Sequence, residues 1–359
     1  MTKLFTPITV RDLTLKNRVF LAPMCMYSCE GRDGVPGDWQ YTHYVSRAVG
    51  GFGLVVVEAT GVAAEGRITP WCPGIYSEEQ IRAWSRITEA IRQNGSHSAI
   101  QLAHAGRKAS TYRAQSGSGS VAIEDGGWQS VSATDEAFTG YDAPRALETA
   151  EVHHVISQWR TAAENAIRAG FDALEIHAAH GYLIHQFLSP ITNQRADEFG
   201  GSLENRARLL IEIVKAIREV MPTGMPLIVR FSATDYREDG WDIEQTKTVA
   251  GWCADAGADL FDISSGGLIT GVTIPTGPGY QVHLATAVAE VVDEPVSAVG
   301  QITEAAQAAK IVDSGAAEVV TIGRAGLRDP YWPLRAAAEL GVEVDWPVQY
   351  ARGKFPTAG

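Results

Sequence analysis

The stretch Arg168-Ala169-Gly170-Phe171-Asp172-Ala173-Leu174-Glu175-Ile176-His177 joins the end of a helical pattern to a short apolar strand through a glycine. Two later stretches, Asp255-Ala256-Gly257-Ala258-Asp259 and Asp313-Ser314-Gly315-Ala316-Ala317, look alike. A glycine directly after a helix can adopt the left-handed conformation that caps the helix end. We therefore predict helix-to-strand turns of a repeating βα unit, with left-handed caps at Gly51, Gly53, Gly95, Gly170, Gly257 and Gly315.

Short β-branched runs alternate with longer segments of helical period along most of the chain. That alternation is typical of βα units around a parallel sheet. The predicted strands are 19–22, 54–58, 99–102, 173–177, 227–231, 260–264, 296–299 and 319–322. The predicted helices are 41–49, 78–93, 148–169, 203–220, 244–256, 282–291, 304–313 and 331–340. The pattern predicts an α/β fold, a (β/α)8 TIM barrel, with residues 1–359 as a single domain.

Two segments lie outside this alternation. Residues 108–147, between strands three and four, are rich in Gly, Ser, Asp and Ala and lack a long apolar period. A connection of roughly forty residues is far longer than the usual loop. We therefore expect a lid or capping insertion over the mouth of the barrel. The tail, residues 345–359, extends past the last predicted helix.

The composition narrows the class of protein. A net charge of −12 and a sequence pI near 5.2 disfavour nucleic acid as a partner. No apolar run approaches the roughly 18 residues of a membrane span, and the first residues lack the apolar core of a signal peptide. We expect no membrane partner and a cytoplasmic location. The spread-out cysteines fit free thiols, and the C-x3-C spacing of Cys25 and Cys29 is weak evidence for a metal.

The residues that follow the fourth strand carry the strongest chemical signal. His177 and His180 are three residues apart, and Tyr182 follows two residues later. Two N–H donors beside one O–H acid can polarise a carbonyl and protonate the carbon next to it. Zinc binding remains an alternative, with Glu175 as a third ligand because strand period places it on the same face as His177. Packing of both histidines in the core is another alternative.

Other polar, thiol and glycine residues stand at the ends of the predicted strands. In a barrel of this kind the catalytic groups lie at the carboxyl ends of the strands. The residues delivered there are Pro23, Met24, Cys25, Ala59, Gln101, His177, Arg230, Ser264–Gly267, Gly300, Gln301, Gly323 and Arg324. Glycine-containing loops after strands seven and eight often hold a phosphate in such barrels.

Nearly the whole chain resembles the old yellow enzyme family of flavin-dependent ene-reductases. The motifs that carry the resemblance are 17–19 (NRV), 22–28 (APMCMYS), 101–107 (QLAHAGR), 177–190, 193–206 (NQRADEFGGSLENR) and 323–324 (GR). Cys25 and Tyr27 are similar to the thermophilic-like bacterial subgroup. The resemblance implies FMN as the bound cofactor, NADPH or NADH as the hydride donor, and activated alkenes such as enones as substrates.

The same resemblance implies roles for individual residues. His177 and His180 would hold the substrate carbonyl with Tyr27, and Tyr182 would protonate the α-carbon. Cys25, Gln101 and Arg230 would contact the flavin ring, with Pro23, Met24 and Ala59 lying close to it. Gly300, Gln301, Gly323 and Arg324 would hold a single phosphate. The chain lacks an adenylate-binding G-x-G-x-x-G, which favours FMN over FAD.

The tail 349–353 (QYARG) resembles a segment that projects an arginine into a neighbouring subunit in this subgroup. Arg352 would then bind substrate in trans, which implies a homodimer or homotetramer. A frayed terminus with a solvated charge is the alternative. Two other functions also remain open from the residues alone: a metal-dependent barrel hydrolase or aldolase, and a flavin-binding protein without turnover.

Overall fold

Eight parallel strands close into a barrel in the computed structural model, which describes residues 2–355. The strands are β1 (Ile8–Val10), β2 (Leu13–Leu15), β3 (Val19–Leu21), β4 (Leu54–Gly61), β5 (His97–Ala103), β6 (Val131–Ser132), β7 (Arg145–Ala146), β8 (Ala173–Ala178), β9 (Leu227–Ser232), β10 (Leu260–Ser264), β11 (Val296–Ala298) and β12 (Val319–Ile322). The barrel order is β3-β4-β5-β8-β9-β10-β11-β12, and β12 pairs back with β3. The predicted (β/α)8 barrel is confirmed.

The helices alternate with the barrel strands along the chain, and the last two follow β12. They are α1 (Asp38–Val49), α2 (Glu78–Gln93), α3 (Thr149–Arg168), α4 (Leu183–Leu188), α5 (Leu203–Arg218), α6 (Ile243–Ala256), α7 (Val282–Ala289), α8 (Ala305–Asp313), α9 (Arg324–Arg328) and α10 (Trp332–Glu339). Several begin at residues that satisfy free backbone N–H groups. Ser77, Ser202 and Asp242 each accept from the third residue of the helix that follows.

The glycine prediction holds at five joins and fails at one. Gly51, Gly95, Gly170, Gly257 and Gly315 all have a positive φ. Gly53 is not among the positive-φ residues, so the prediction of a left-handed cap there was wrong. Its physical constraint is space instead, because a Cβ atom on Gly53 would lie 2.6 Å from Asn17 Oδ1.

A small antiparallel hairpin, β1 and β2, packs against the amino ends of the barrel strands. Ile8, Val10 and Leu15 form one buried apolar cluster with residues near the starts of seven barrel strands. Those residues are Phe20, Leu54, Ala99, Ala173, Ile228, Leu260 and Val319. The hairpin therefore closes the end of the barrel opposite the carboxyl ends of the strands.

Residues 108–147 contain few regular elements but contact several loops at the carboxyl end. The short strands β6 and β7 pair in parallel inside this segment. Arg113 donates to Tyr27 O at 2.9 Å, and Trp128 Nε1 donates to Glu65 O at 2.8 Å. The segment thus spans loops that follow β3 and β4. Its role as a lid stays a prediction.

Within residues 2–355, the structure contains no helix that is both long and apolar enough to span a membrane. The tail adopts a 3-10 turn over Val348–Gly353. The last four residues of the predicted tail lie outside the described residues.

Leu15→Ala tests the hairpin's contribution to stability. Leu15 is almost fully buried, so its truncation leaves a cavity, and we expect the free energy of unfolding to fall by about 2–5 kcal/mol. Leu13 is only half-buried, so Leu13→Ala is the matched control with a smaller loss. Urea denaturation measures both. Equal losses would show that the cluster does not depend on Leu15.

Candidate active site

His177 and His180 lie together at the carboxyl end of β8. His177 Nδ1 accepts from the Ala179 N–H at 3.3 Å, which leaves the ring proton on His177 Nε2. His177 Nε2 is 3.4 Å from His180 Nδ1, and His180 Nε2 is 2.7 Å from Ser264 Oγ. The consistent assignment gives each ring one proton on Nε2. His177 therefore donates toward His180, and His180 donates toward Ser264.

Both imidazoles are neutral. Burial is the largest cause that lowers the pKa of His177 and His180 well below the usual value, and the positive charge of Arg230 is the second. Since a neutral imidazole keeps one N–H, each ring can polarise an oxygen without carrying a full charge. For His180 to donate to an oxygen in the pocket, its Nε2–H must give up the hydrogen bond to Ser264 Oγ.

The turn between the two rings and Tyr182 is backbone-strained but fully bonded. His180 and Gly181 have φ values of 57° and 72°, in the left-handed region. The His180 N–H donates to Ser232 Oγ at 2.9 Å, and the Gly181 N–H donates to His185 Nδ1 at 3.0 Å. A Cβ atom on Gly181 would lie 2.3 Å from a backbone oxygen, so glycine is required there.

The carbonyl groups of this turn are also satisfied. Lys108 Nζ donates to His180 O at 2.9 Å, and Gln186 Nε2 donates to Gly181 O at 2.7 Å. The Tyr182 N–H donates to Ala179 O at 3.2 Å. These bonds hold a strained conformation that would otherwise relax.

Tyr182 lies beside His177 and packs with Cys25 and Tyr27. The ring centroids of Tyr182 and His177 are 5.0 Å apart in an edge-to-face arrangement. Burial, followed by the neighbouring Cys25, raises the pKa of Tyr182 well above its usual value. Cys25 and then burial raise the pKa of Tyr27. Burial likewise raises the pKa of the Cys25 thiol. All three groups therefore keep their protons at neutral pH.

Lys108 connects the 108–147 segment to the histidine turn. Its ammonium group donates to the carbonyls of His180 and Gly267 and lies 5.0 Å from the centre of the Tyr182 ring. The ammonium also lies 4.7 Å from the centre of the Phe138 ring. Burial lowers the pKa of Lys108 to about 8. Lys108 was not among the predicted site residues, although it stands directly after Gln101–Arg107, a motif that carries the family resemblance.

A buried polar layer lies around Arg230 inside the barrel. Arg230 Nε is 3.0 Å from Asp262 Oδ2, and Gln101 Nε2 donates to Glu175 Oε1 at 2.6 Å. Burial, followed by the charge of Asp262, raises the pKa of Glu175 to about 8. At neutral pH, Glu175 is therefore protonated, and Asp262 is the carboxyl group that pairs with Arg230.

Glu58 is the second functional candidate that the sequence analysis missed. It lies where the pairing of β4 with β5 shifts register between Val57 and Thr60. Its carboxyl group accepts from the Met26 N–H at 2.8 Å and from the Tyr44 hydroxyl at 3.1 Å. Glu58 thereby holds the loop that carries Cys25. The signal was present, because a polar residue interrupts the apolar run of 54–58.

The loops after β11 and β12 present backbone donors. Gly300 and Gln301 have positive φ values, which turn the chain sharply at the end of β11. Among residues 2–355, the N–H groups of Gly300, Gln301, Gly323 and Arg324 donate to no protein oxygen. A Cβ atom on Gly323 would lie 3.9 Å from Ala22 Cβ and from Met24 Sδ, which is ordinary van der Waals contact without a clash.

Most of the predicted site residues lie at the carboxyl ends of the strands. Arg352 is the exception, because it is exposed on the tail of this chain. Glu175 bonds to Gln101 and does not join the two histidines. Within the part of the chain that the structure describes, no three His, Cys, Asp or Glu side chains lie close enough to hold a metal ion. The geometry therefore gives no support to the zinc alternative.

Sequence comparisons identify relatives of this chain. A sequence profile of the NADH:flavin oxidoreductase / NADH oxidase family matches residues 3–343. An NADPH dehydrogenase of Bacillus subtilis (strain 168) is 44% identical over 351 residues, which is 98% of this chain and 99% of that protein.

Solved structures extend the comparison to the fold. An old yellow enzyme homologue from Zymomonas mobilis is 30% identical, with a TM-score of 0.78 and coverage of 93% of this chain and 92% of that chain. Morphinone reductase in complex with tetrahydroNAD is 29% identical, with a TM-score of 0.79 and coverage of 97% and 93%.

Glu58→Gln should change how stability depends on pH. Burial raises the pKa of Glu58 from 4.5 to about 7, so the folded state binds its proton more tightly than the unfolded chain. The stability from this group is present below pH 4.5 and is lost as the pH rises to about 7, on the order of 3 kcal/mol. Glutamine lacks this titration, so the variant's unfolding free energy should fall less over that range.

Denaturation at several pH values measures this difference. The matched variant Glu30→Gln removes an exposed carboxylate whose pKa is lowered by Arg113, so its effect lies below pH 4.5. Identical profiles for Glu58→Gln and the wild type would contradict a proton on Glu58.

Proposed function

Because the chain belongs to the NADH:flavin oxidoreductase / NADH oxidase family, we propose that it reduces the C=C bond of α,β-unsaturated carbonyl compounds. It is an NAD(P)H-dependent flavin oxidoreductase of the old yellow enzyme family, with FMN as its cofactor, and acts on small molecules. The observation that carries the proposal is a pair of neutral imidazoles beside a phenol that keeps its proton.

The residues at the barrel mouth fit FMN. The four N–H groups of Gly300, Gln301, Gly323 and Arg324 lack protein acceptors among residues 2–355, and together they suit a phosphate. The Arg324 guanidinium adds charge. One such cradle matches the single phosphate of FMN.

Other residues would contact the flavin ring. Gln101 uses its amide N–H on Glu175, so its carbonyl oxygen is left as an acceptor for a ring N–H. Arg230 supplies a buried cation for negative charge on the reduced ring. Cys25 stays a thiol, because burial raises its pKa, and acts as a weak donor rather than a nucleophile. Pro23, Met24 and Ala59 complete the wall beside these groups.

When bound, FMN accepts hydride from NAD(P)H and delivers it to the β-carbon of the alkene. His177 and His180 would donate their Nε2–H groups to the carbonyl oxygen in place of His180 Nδ1 and Ser264 Oγ, and would draw electron density from the β-carbon. A preorganised donor of this kind contributes roughly 3–4 kcal/mol. Tyr27 helps to hold the same oxygen, since its hydroxyl keeps its proton.

Tyr182 supplies the proton that completes the reduction. A phenol with a raised pKa gives up its proton only to a strong base, and the α-carbon of a developing enolate is one. Lys108 lies over the face of the phenol ring and favours the phenolate that remains. Solvent then returns the proton to Tyr182.

We also propose that the site is completed by two mobile or shared parts. Residues 108–147 would act as the lid, since Lys108 and Arg113 bond to loops around the pocket. Arg352 would reach the pocket of a neighbouring subunit in a homodimer or homotetramer. The cytoplasmic location and the thermophilic-like subgroup stay predictions.

A flavin-binding protein without turnover is the alternative, and anaerobic mixing separates the two. NADPH should bleach the flavin absorbance, and cyclohexenone should restore it. Bleaching without recovery would favour the alternative.

Tyr182→Phe tests the proton donor. The variant keeps the ring beside His177 but lacks the acidic proton, so cyclohexenone reduction should fall by about 10²–10⁴-fold. Consumption of NADPH with dioxygen as the acceptor should persist, because it needs no proton on carbon. Tyr112→Phe, which removes a phenol bonded to Asp125 on the insertion, is the matched control with wild-type rates. Wild-type alkene rates in Tyr182→Phe would assign the proton to another donor.

Mixing two variants tests whether Arg352 acts in trans. Arg352→Ala and Tyr182→Phe should each reduce cyclohexenone poorly alone. In a mixed dimer, one site combines Tyr182 of the first variant with Arg352 of the second. Half of randomly paired dimers are mixed and each has one intact site, so co-expression should restore about a quarter of the wild-type activity. No recovery would place Arg352 in its own site or outside catalysis.

A further inference from the structure

His185 lies behind the catalytic turn and is fully buried on α4. Its Nδ1 accepts the Gly181 N–H at 3.0 Å, and its Nε2 lies 2.9 Å from Asp235 Oδ1. Neither side chain has a role in the reaction described above. Together they connect Gly181 to the loop after β9.

The two contacts require one tautomer of His185. A backbone N–H is only a donor, so the nitrogen that faces Gly181 must carry a lone pair. The proton then resides on Nε2, where the carboxylate of Asp235 can hold it. The other tautomer would place two N–H groups face to face and a lone pair against a carboxylate, so both contacts would become repulsive.

Asp235 is itself held in place. Its Oδ2 accepts from the Ser189 hydroxyl at 2.6 Å and from the Trp241 N–H at 2.8 Å. Burial alone would raise the pKa of Asp235, but His185 and these donors outweigh it and keep the pKa below its usual value. Asp235 is therefore an ionised carboxylate with a fixed direction.

Gly181 separates the two residues that do the chemistry. His180, before it, polarises the carbonyl, and Tyr182, after it, protonates carbon. Both His180 and Gly181 occupy the left-handed region, and hydrogen bonds to the surroundings must maintain that conformation. Loss of the Gly181 N–H bond would let the peptide rotate and would move the imidazole and the phenol together.

We propose that His185, with its proton fixed on Nε2 by Asp235, is a positioning residue that aims His180 and Tyr182 at the substrate through the Gly181 N–H. This inference rests on the proposed alkene reduction for its purpose, but the hydrogen-bond relay stands apart from it. Its direct consequences are a protected Gly181 amide and a defined tautomer of His185.

Two conservative variants separate positioning from structural support. In His185→Asn, the amide oxygen branches from Cγ as Nδ1 does, so the acceptor for Gly181 returns while the contact with Asp235 is lost. In His185→Gln, the longer amide reaches toward Asp235 but leaves Gly181 without an acceptor. Positioning of the turn requires the contact with Gly181, which His185→Asn keeps. Support of the buried Asp235 carboxylate requires the contact with Asp235, which His185→Gln keeps.

The kinetic test uses photoreduced holoenzyme, so that NADPH binding is not involved. Reoxidation by cyclohexenone should slow by on the order of 100-fold in His185→Gln and should stay near the wild-type rate in His185→Asn. Reoxidation by dioxygen should stay unchanged in both variants, because it needs neither His180 nor Tyr182. A reversed order of the two variants, or an equal loss with dioxygen, would overturn the proposal.

Two further measurements do not depend on activity. Hydrogen exchange at the Gly181 amide should stay slow in the wild type and in His185→Asn and become fast in His185→Gln. Nitrogen NMR of histidine-labelled holoenzyme should show the His185 proton on Nε2. Fast exchange in the wild type, or a proton on Nδ1, would overturn the relay.

A second histidine–carboxylate pair provides the matched control. His97 Nδ1 lies 3.5 Å from Asp172 Oδ2 at the amino end of β5, far along the strand from the pocket. His97→Gln should leave both reoxidation rates unchanged.

If the wild type fails to reduce cyclohexenone while the exchange and NMR results hold, the proposed function fails and the relay remains. If alkene reduction holds and the relay signals do not, only this inference fails.

Discussion

Exclusion of water from the barrel mouth sets the charge of nearly every group in the site. Burial lowers the pKa values of His177 and His180 and raises that of Tyr182, so the two imidazoles stay neutral and the phenol keeps its proton. The same effect leaves Glu175 protonated and makes Arg230 the dominant cation of the inner layer. Neutral imidazoles and a protonated phenol suit chemistry in which negative charge appears only briefly, because the protein then need not reorganise as the charge develops.

The turn that presents these groups is held from three directions. Lys108 reaches it from the insertion, Gln186 from α4, and Ser232 from the end of β9. Each bond ends on a different backbone group of His180 or Gly181, so the strained conformation is determined by more than one contact. Catalytic precision in this fold therefore comes from tertiary contacts to a loop, because the barrel strand itself ends before the turn begins.

The sequence was a good guide to elements with a regular period and a poor guide to contacts between distant residues. The barrel strands and their glycine caps were predictable from local pattern, except Gly53, where close packing against Asn17 explains the residue. The hairpin of β1 and β2 was missed because three-residue strands are too short to show alternation. His185 and Asp235 are fifty positions apart, and only folding shows that they touch. The histidine pair and Tyr182 were recognisable because they share one short stretch, yet the direction of each N–H depended on Ala179 and Ser264.

The hairpin at the amino end of the barrel strands has a consequence for how small molecules enter and leave. Ile8, Val10 and Leu15 pack against residues near the starts of the barrel strands, so the hairpin covers that end of the barrel within residues 2–355. Under the proposed function, small molecules enter and leave at the carboxyl end of the barrel. A nucleotide donor and its acceptor would have to take turns at that entrance. An excess of either compound would therefore compete with the other. The architecture predicts inhibition at high concentrations of either one.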